Sequence, residues 1–347
     1  MKRISRLLAL ILVCALTLTV PAFAAGTPAA SDEMRGVWVS TVYNLDYPSQ
    51  ATTDPAALRA EADAILDNCV QWGLNAVFLQ VRPSADSLYP SEVFPWSKYL
   101  TGTAGTAPAD GFDPLAYWVE AAHARGLELH AWINPYRITR GGDTEWNQLP
   151  SSHPAKMNPD WVVKYSDGNY YFNPGLQQVR DLVTRGAVEI AQNYDVDGLH
   201  MDDYFYPGSD FADSATYQQY GGSFSNIGDW RRDNVNQLVA QLDTALHNVR
   251  PDIQFGISPS GIWANKPTDS RGSDTNGYEH YASSYADSLY WIDNGLVDYI
   301  IPQIYWEIGH KSADFATLAD WWNNAVQGTG VRLYIGMADY PLSDSPS

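Results

Sequence analysis

Seven short runs rich in β-branched and aromatic residues recur along this chain, with helical patterns between them. No other feature narrows the fold so far. Repeated strand–helix units form a parallel sheet with right-handed crossovers, so fold classes built on hairpins or on helices alone are set aside. The runs predict strands at residues 34–41, 75–82, 128–134, 198–203, 254–258, 299–306 and 332–338. Helices are expected at 55–72, 114–125, 175–194, 229–249, 278–293 and 315–326. Asp54-Pro55 and Asp113-Pro114 place an acid cap before a proline at the first helical position, and Gly73, Gly126 and Gly295 follow helix ends.

Connection lengths choose between an open sheet and a barrel. Segments entering the strands are short, as in Gly73-Leu74, Gly126-Leu127 and Pro251-Asp252. Segments leaving them are long and rich in Pro, Gly and Trp: 83–113, 135–174, 204–228 and 261–277. One plain end and one elaborate end are the mark of a (β/α)8 TIM barrel with its site on the carboxyl-end face. The alternative, a doubly wound sheet, lacks support because VSTVYNLDYP follows the first strand where a Gly-rich phosphate turn would stand. VVKYSDGNYYF, after the third strand, reads as a β-hairpin insertion. Residues 339–347 are too short for another helix and strand. The expectation is therefore a barrel truncated after its seventh strand, with the first and seventh edges unpaired.

The two-residue strand period sorts the faces. Val77, Leu79 and Val81 oppose Phe78, Gln80 and Arg82; Leu129, Ala131 and Ile133 oppose His130, Trp132 and Asn134. Leu199 and Met201 oppose His200 and Asp202, and Gln303, Tyr305 and Glu307 share a face. If the apolar sets meet the helices, the polar sets converge inside. That is why DVDGLHMDDYFYP ends in adjacent acids: Asp202 is expected at the rim of a polar pocket.

The first 24 residues carry Lys2, Arg3 and Arg6, then an apolar run containing Cys14, then Ala22-Phe23-Ala24. They read as a secretory signal peptide, followed by a short linker at 25–33 and one domain from 34 to 347. Cleavage leaves Cys69 alone, so a secreted chain of this kind has no internal disulfide and depends on a large core. The net charge of −19 argues against nucleic-acid and anionic-membrane partners. No cofactor motif is present, and the oligomeric state is open.

The runs MRGVWVST, HAWINPYR, FNPGLQQVRDLV, DVDGLHMDDYFYP, GISPSGIW and DYIIPQIYWE together resemble the glycosyl-hydrolase-like family related in fold to family 10 glycosidases. The resemblance spans residues 34 to about 340. It implies a TIM barrel acting on sugar polymers; secreted and periplasmic members include enzymes acting on peptidoglycan glycan strands. Ser260 departs from the pattern, standing where the family motif usually has an aromatic.

Glycoside cleavage needs one carboxylic acid to protonate the leaving oxygen and a second carboxylate as nucleophile, stabiliser or base. Asp202 and Glu307 are the expected pair, with Asp203 as the substitute for Asp202. Arg82, Asn134 and Gln303 are expected to bind sugar hydroxyls. His200 and Tyr305 would hydrogen-bond the acids, and Trp263, on a long loop, would stack on a sugar face. Two other readings stay open. A catalytically silent carbohydrate-binding barrel would keep the aromatics without a working acid pair. A metal-dependent hydrolase would use His200 and Asp202, although no HxH or HExxH spacing occurs.

Overall fold

The structure is a computed structural model and describes residues 33–338. The expected signal peptide, most of the expected linker and residues 339–347 lie outside the described residues. Seven strands form one parallel sheet. They are β1 (Gly36–Val39), β2 (Ala76–Arg82), β3 (Glu128–Ile133), β6 (Gly198–Met201), β7 (Gln254–Ile257), β8 (Tyr299–Ile300) and β9 (Arg332–Leu333), hydrogen-bonded in that order. The intervening β4 (Val162–Lys164) and β5 (Tyr170–Phe172) make the expected antiparallel hairpin after the third strand. Among the described residues β1 and β9 are not paired with each other.

The helices that alternate with the sheet strands are α1 (Pro55–Gln71), α2 (Pro114–His123), α3 (Gln177–Asn193), α4 (Ile227–Val249), α5 (Ser288–Asp293) and α6 (Phe315–Val326), and shorter ones lie in the loops. None of the described helices is long and apolar enough to cross a membrane. The single helix expected over 278–293 is instead a short turn at His280–Ser283 followed by α5. Each main helix lays an apolar stripe on the outer sheet face, where Val77, Leu79, Leu129, Ala131, Ile133, Leu199 and Met201 are buried.

Local chemistry fixes the ends. Asp54 and Asp113 accept from the backbone N–H of Ala56 and Ala116, at 2.9 and 3.1 Å, with proline at the next position. Asp113 also accepts from the Tyr194 hydroxyl at 2.8 Å, tying α2 to the end of α3. Asp113→Ala is therefore expected to lower stability by about 1–2 kcal/mol, the cost of a cap plus one hydrogen bond. Urea unfolding of the variant measures this.

The barrel interior is polar and crowded. His130 pairs in register with Gly198, and His200 with Gly256, which pairs with Tyr299. The Trp38 indole can only donate, and it reaches His200 Nε2 at 3.3 Å, so that nitrogen accepts and Nδ1 carries the proton. His200 Nδ1 then donates to the Tyr299 oxygen at 3.2 Å, whose hydroxyl donates to His130 Nδ1 at 2.9 Å. Burial, with His130 nearby, holds the His200 imidazole well below its usual pKa, so it stays neutral.

Candidate active site

The length of β1, the carboxyl ends of β3, β6 and β7 and the segments after β8 and β9 frame a cavity of about 460 Å³, lined by Trp38, Trp132, Asp202, Asp203, Tyr204, Ser258, Gln303 and Tyr305, among others. Asp202 is its most constrained member, with 5% of its surface exposed. Its carboxylate accepts from Trp132 Nε1 at 3.0 Å, from Asn134 Nδ2 at 2.7 and 2.8 Å, and from the Tyr204 backbone N–H at 3.1 Å. Every partner is a donor, so the arrangement suits the ionised form. Burial nevertheless pushes the carboxyl up to about 6, helped by the neighbouring Asp203 and opposed by Arg137 and Asn134.

A relay holds Asn134 in that orientation. Its Oδ1 accepts from Arg137 Nη2 and, at 3.3 Å, from Gln80 Nε2. Arg137 is anchored on the Pro83 carbonyl at 3.0 and 2.6 Å. The Gln80 side-chain oxygen accepts from the backbone N–H of Thr41 and Val42, each at 3.0 Å. With the orientations of both amides, Gln80 and Asn134, fixed by donors of known type, Asn134 can present only its NH₂ to Asp202.

Asp203, the next residue, lies just past the end of β6 and has partners of its own. Its carboxylate accepts from Ser260 Oγ at 3.1 Å, and its carbonyl lies 2.9 Å from His280 Nε2. Asp203 and Tyr204 line both the first cavity and a second cleft of about 390 Å³.

Asp202, Gln303 and Tyr305 thus stand together as the strand parity implies, and Asp203 joins them although parity would turn it away; Gln303 Nε2 donates to the Ser258 carbonyl at 2.8 Å. Five expectations need correction. Arg82 faces the helix layer, not the pocket. Gln80 pairs with Trp132 and Arg82 with Ile133, so a bulge gives β2 an extra residue and turns Arg82 to the outer face. There its guanidinium lies 4.7 Å from the Phe94 ring, and a Cβ at Gly186 of α3 would come within 2.4 Å of Nη1.

Glu307 is exposed in the segment after β8 and does not line the cavity. β8 ends at Ile300, Pro302 supplies no N–H to a ladder, and strand parity does not carry to residue 307. Trp263 is fully buried, donates to Asp287 at 3.1 Å and stacks on Trp321, so it packs its own loop instead of facing sugar. Asn134 points inward but is buried beneath Asp202, which makes it a positioning residue. His200 lies in the interior layer and bonds Ser258, Tyr299 and Trp38; no acid is among those partners.

Arg137, Trp38, Trp132 and Tyr204 escaped the residue-level reading. Trp132 was visible in the alternation beside Asn134. Arg137 had no periodic signal, because it follows Pro135 in a loop. Among the described residues no cluster of three His, Cys, Asp or Glu side chains forms a metal-binding group.

The sequence model described as Glycosyl hydrolase-like 10 matches residues 33–346. Glycosyl hydrolase YngK of Bacillus subtilis is 46% identical over 351 residues, covering 99% of this chain and 68% of that protein. Glycosyl hydrolase DigH of Escherichia coli K12 is 40% identical over 337 residues, covering 92% of this chain and 76% of that one. Among solved structures, the PgaB (BpsB) glycoside hydrolase domain from Bordetella bronchiseptica superposes with a TM-score of 0.52 at 14% identity, over 90% of this chain and 96% of that one. A Paenibacillus cycloisomaltooligosaccharide glucanotransferase gives 0.51 at 14% identity, over 87% and 38%. At such identity these two speak to fold alone.

Proposed function

The chain belongs to the Glycosyl hydrolase-like 10 family, and from that premise we propose that it is an exported glycoside hydrolase cleaving O-glycosidic bonds in a polysaccharide, with peptidoglycan glycan strands as the first candidate. The observation that carries this reading is the adjacent acid pair. Asp202 is buried and bound only by N–H donors, while Asp203 is more exposed and opens onto both cavities.

Two carboxyl groups in unlike surroundings suit unlike roles. Asp202, held rigid and acceptor-only, is the fixed anion that faces positive charge developing at the sugar carbon. Asp203, half-exposed and held by the Ser260 hydroxyl, is the second carboxyl of the pair and reaches a bound sugar from either cavity. Trp38, Tyr305 and Gln303 line the same cavity and offer ring faces and an amide to a bound sugar.

The test is to incubate the protein with peptide-free peptidoglycan glycan strands and a panel of other polysaccharides, following new reducing ends. Hydrolysis of at least one is expected. Binding without hydrolysis of any would favour a silent carbohydrate-binding barrel. Ser260→Ala is expected to lower kcat about tenfold with KM near the parent value. One hydrogen bond to a charged group is worth roughly 1.5 kcal/mol, and here it orients the reacting acid instead of holding substrate.

A further inference from the structure

The second cleft has a charge arrangement that the acid pair does not require. Arg137 and Arg140 line it together with Asp167, Asp203, Tyr204 and Tyr278. Arg140 Nε donates to the Tyr43 hydroxyl at 3.0 Å, and the guanidinium lies 5.2 Å from that ring. Among the described residues no carboxylate forms an ion pair with Arg140, and its two terminal nitrogens make no hydrogen bond. This is notable in a chain of net charge −19, where acids outnumber bases and cations readily find partners. The free edge is the paired one: with Nε occupied by Tyr43, Nη1 and Nη2 present the two parallel N–H groups that match an oxyanion.

We propose that this cleft is a subsite for a sugar residue carrying a carboxylate, and that Arg140 is the residue that selects for it. The inference rests on the glycosidase reading and deepens it. Asp167, which accepts from Asn169 and Tyr171, and Asp203 line the same cleft, so a singly charged carboxylate fits better than a doubly charged phosphate, which would meet stronger repulsion. Tyr204 and Tyr278 are 52% and 56% exposed and supply ring faces for the sugar itself. Because Asp203 and Tyr204 also line the first cavity, a sugar bound in the cleft adjoins the acid pair.

The test measures binding in an Asp202→Asn background by calorimetry, so that turnover does not enter. The probes are peptide-free peptidoglycan glycan strands, whose muramic residues carry free carboxylates, and the same strands with those carboxylates converted to amides. The expected result is about tenfold tighter binding of the charged strands, a gap that Arg140→Gln abolishes and Arg140→Lys restores only in part, since lysine keeps charge without the fork. Equal binding of charged and amidated strands by the Asp202→Asn protein would overturn the subsite while leaving the glycosidase reading intact. That comparison needs no Arg140 variant, so a misfolded one does not decide it. Binding of neither strand, nor of any polysaccharide, would instead bring down the carbohydrate reading and the subsite with it.

Discussion

Asp202→Asn is expected to lower glycan turnover by at least about a thousandfold while leaving the dissociation constant for glycan within a few fold of the parent. The amide keeps the size of the carboxyl group and still offers one oxygen to Asn134 and Tyr204. It cannot carry the negative charge that the reaction needs. The pH profile supplies an independent signature. The Asp202 carboxyl is pushed up to about 6, so it is mostly ionised at neutral pH and protonated below 6. The parent kcat/KM should therefore fall on the acid side with a midpoint near 6, well above the ordinary aspartate value of about 3.9. Stability runs with the opposite sign. A carboxyl whose folded pKa lies above its unfolded one binds its proton more tightly when folded. Its ionisation thus costs the fold about 3 kcal/mol above pH 6, a penalty that fades as pH falls toward 4. The variant escapes that penalty but turns one NH₂ toward the donors around it. Its unfolding midpoint at pH 7 should lie near the parent's, which separates lost chemistry from lost fold. Activity within tenfold of the parent in a folded Asp202→Asn protein would remove Asp202 from the mechanism.

The fold was legible where strand parity and connection length act alone. The parallel order, the hairpin after the third strand and the elaborate carboxyl end all follow from residues read in twos and loops read by length. Asp202, Gln303 and Tyr305 fall in the cavity for the same reason. Parity failed where the backbone stops obeying it. The bulge between Gln80 and Arg82 has no glycine within it, Pro83 beyond it reads as an ordinary strand end, and it reverses the face of Arg82. Past the last bridges, at Gln303, the chain leaves the ladder before residue 307, so alternation says nothing about Glu307. Burial was the second blind spot. A tryptophan on a long loop reads the same whether it faces sugar or seals the loop, and Trp263 seals it. Arg137 acts through Asn134, a contact between neighbouring loop residues that no periodicity encodes.

Gly256→Ala is expected to destabilise the fold by about 3 kcal/mol or more, the upper range for a forced clash in a packed interior. The reason lies in the lateral register of His200, Gly256 and Tyr299 on β6, β7 and β8. Tyr299 crosses over Gly256 to reach His200, its ring parallel to the imidazole at 7° and 5.9 Å between centroids. A Cβ on Gly256 would fall 2.0 Å from the Tyr299 ring, so ring or strand must move. Neither can move cheaply. The Tyr299 hydroxyl bridges His130 and His200, and its displacement would leave buried imidazole nitrogens without partners. His130 makes the same demand of the β3–β6 pair, where a Cβ on Gly198 would meet Nδ1 at 2.2 Å. Glycine at both positions is thus the condition for a polar aromatic interior directly beneath Asp202. The mechanism predicts a coupling as well as a loss. Tyr299→Leu alone should destabilise by removing the bridge, but it also vacates the space over residue 256. The double variant should therefore be less destabilised than the sum of the two by more than about 1 kcal/mol. Urea unfolding of the four proteins measures the cycle, and strict additivity would show that the ring over Gly256 is not what excludes the methyl group.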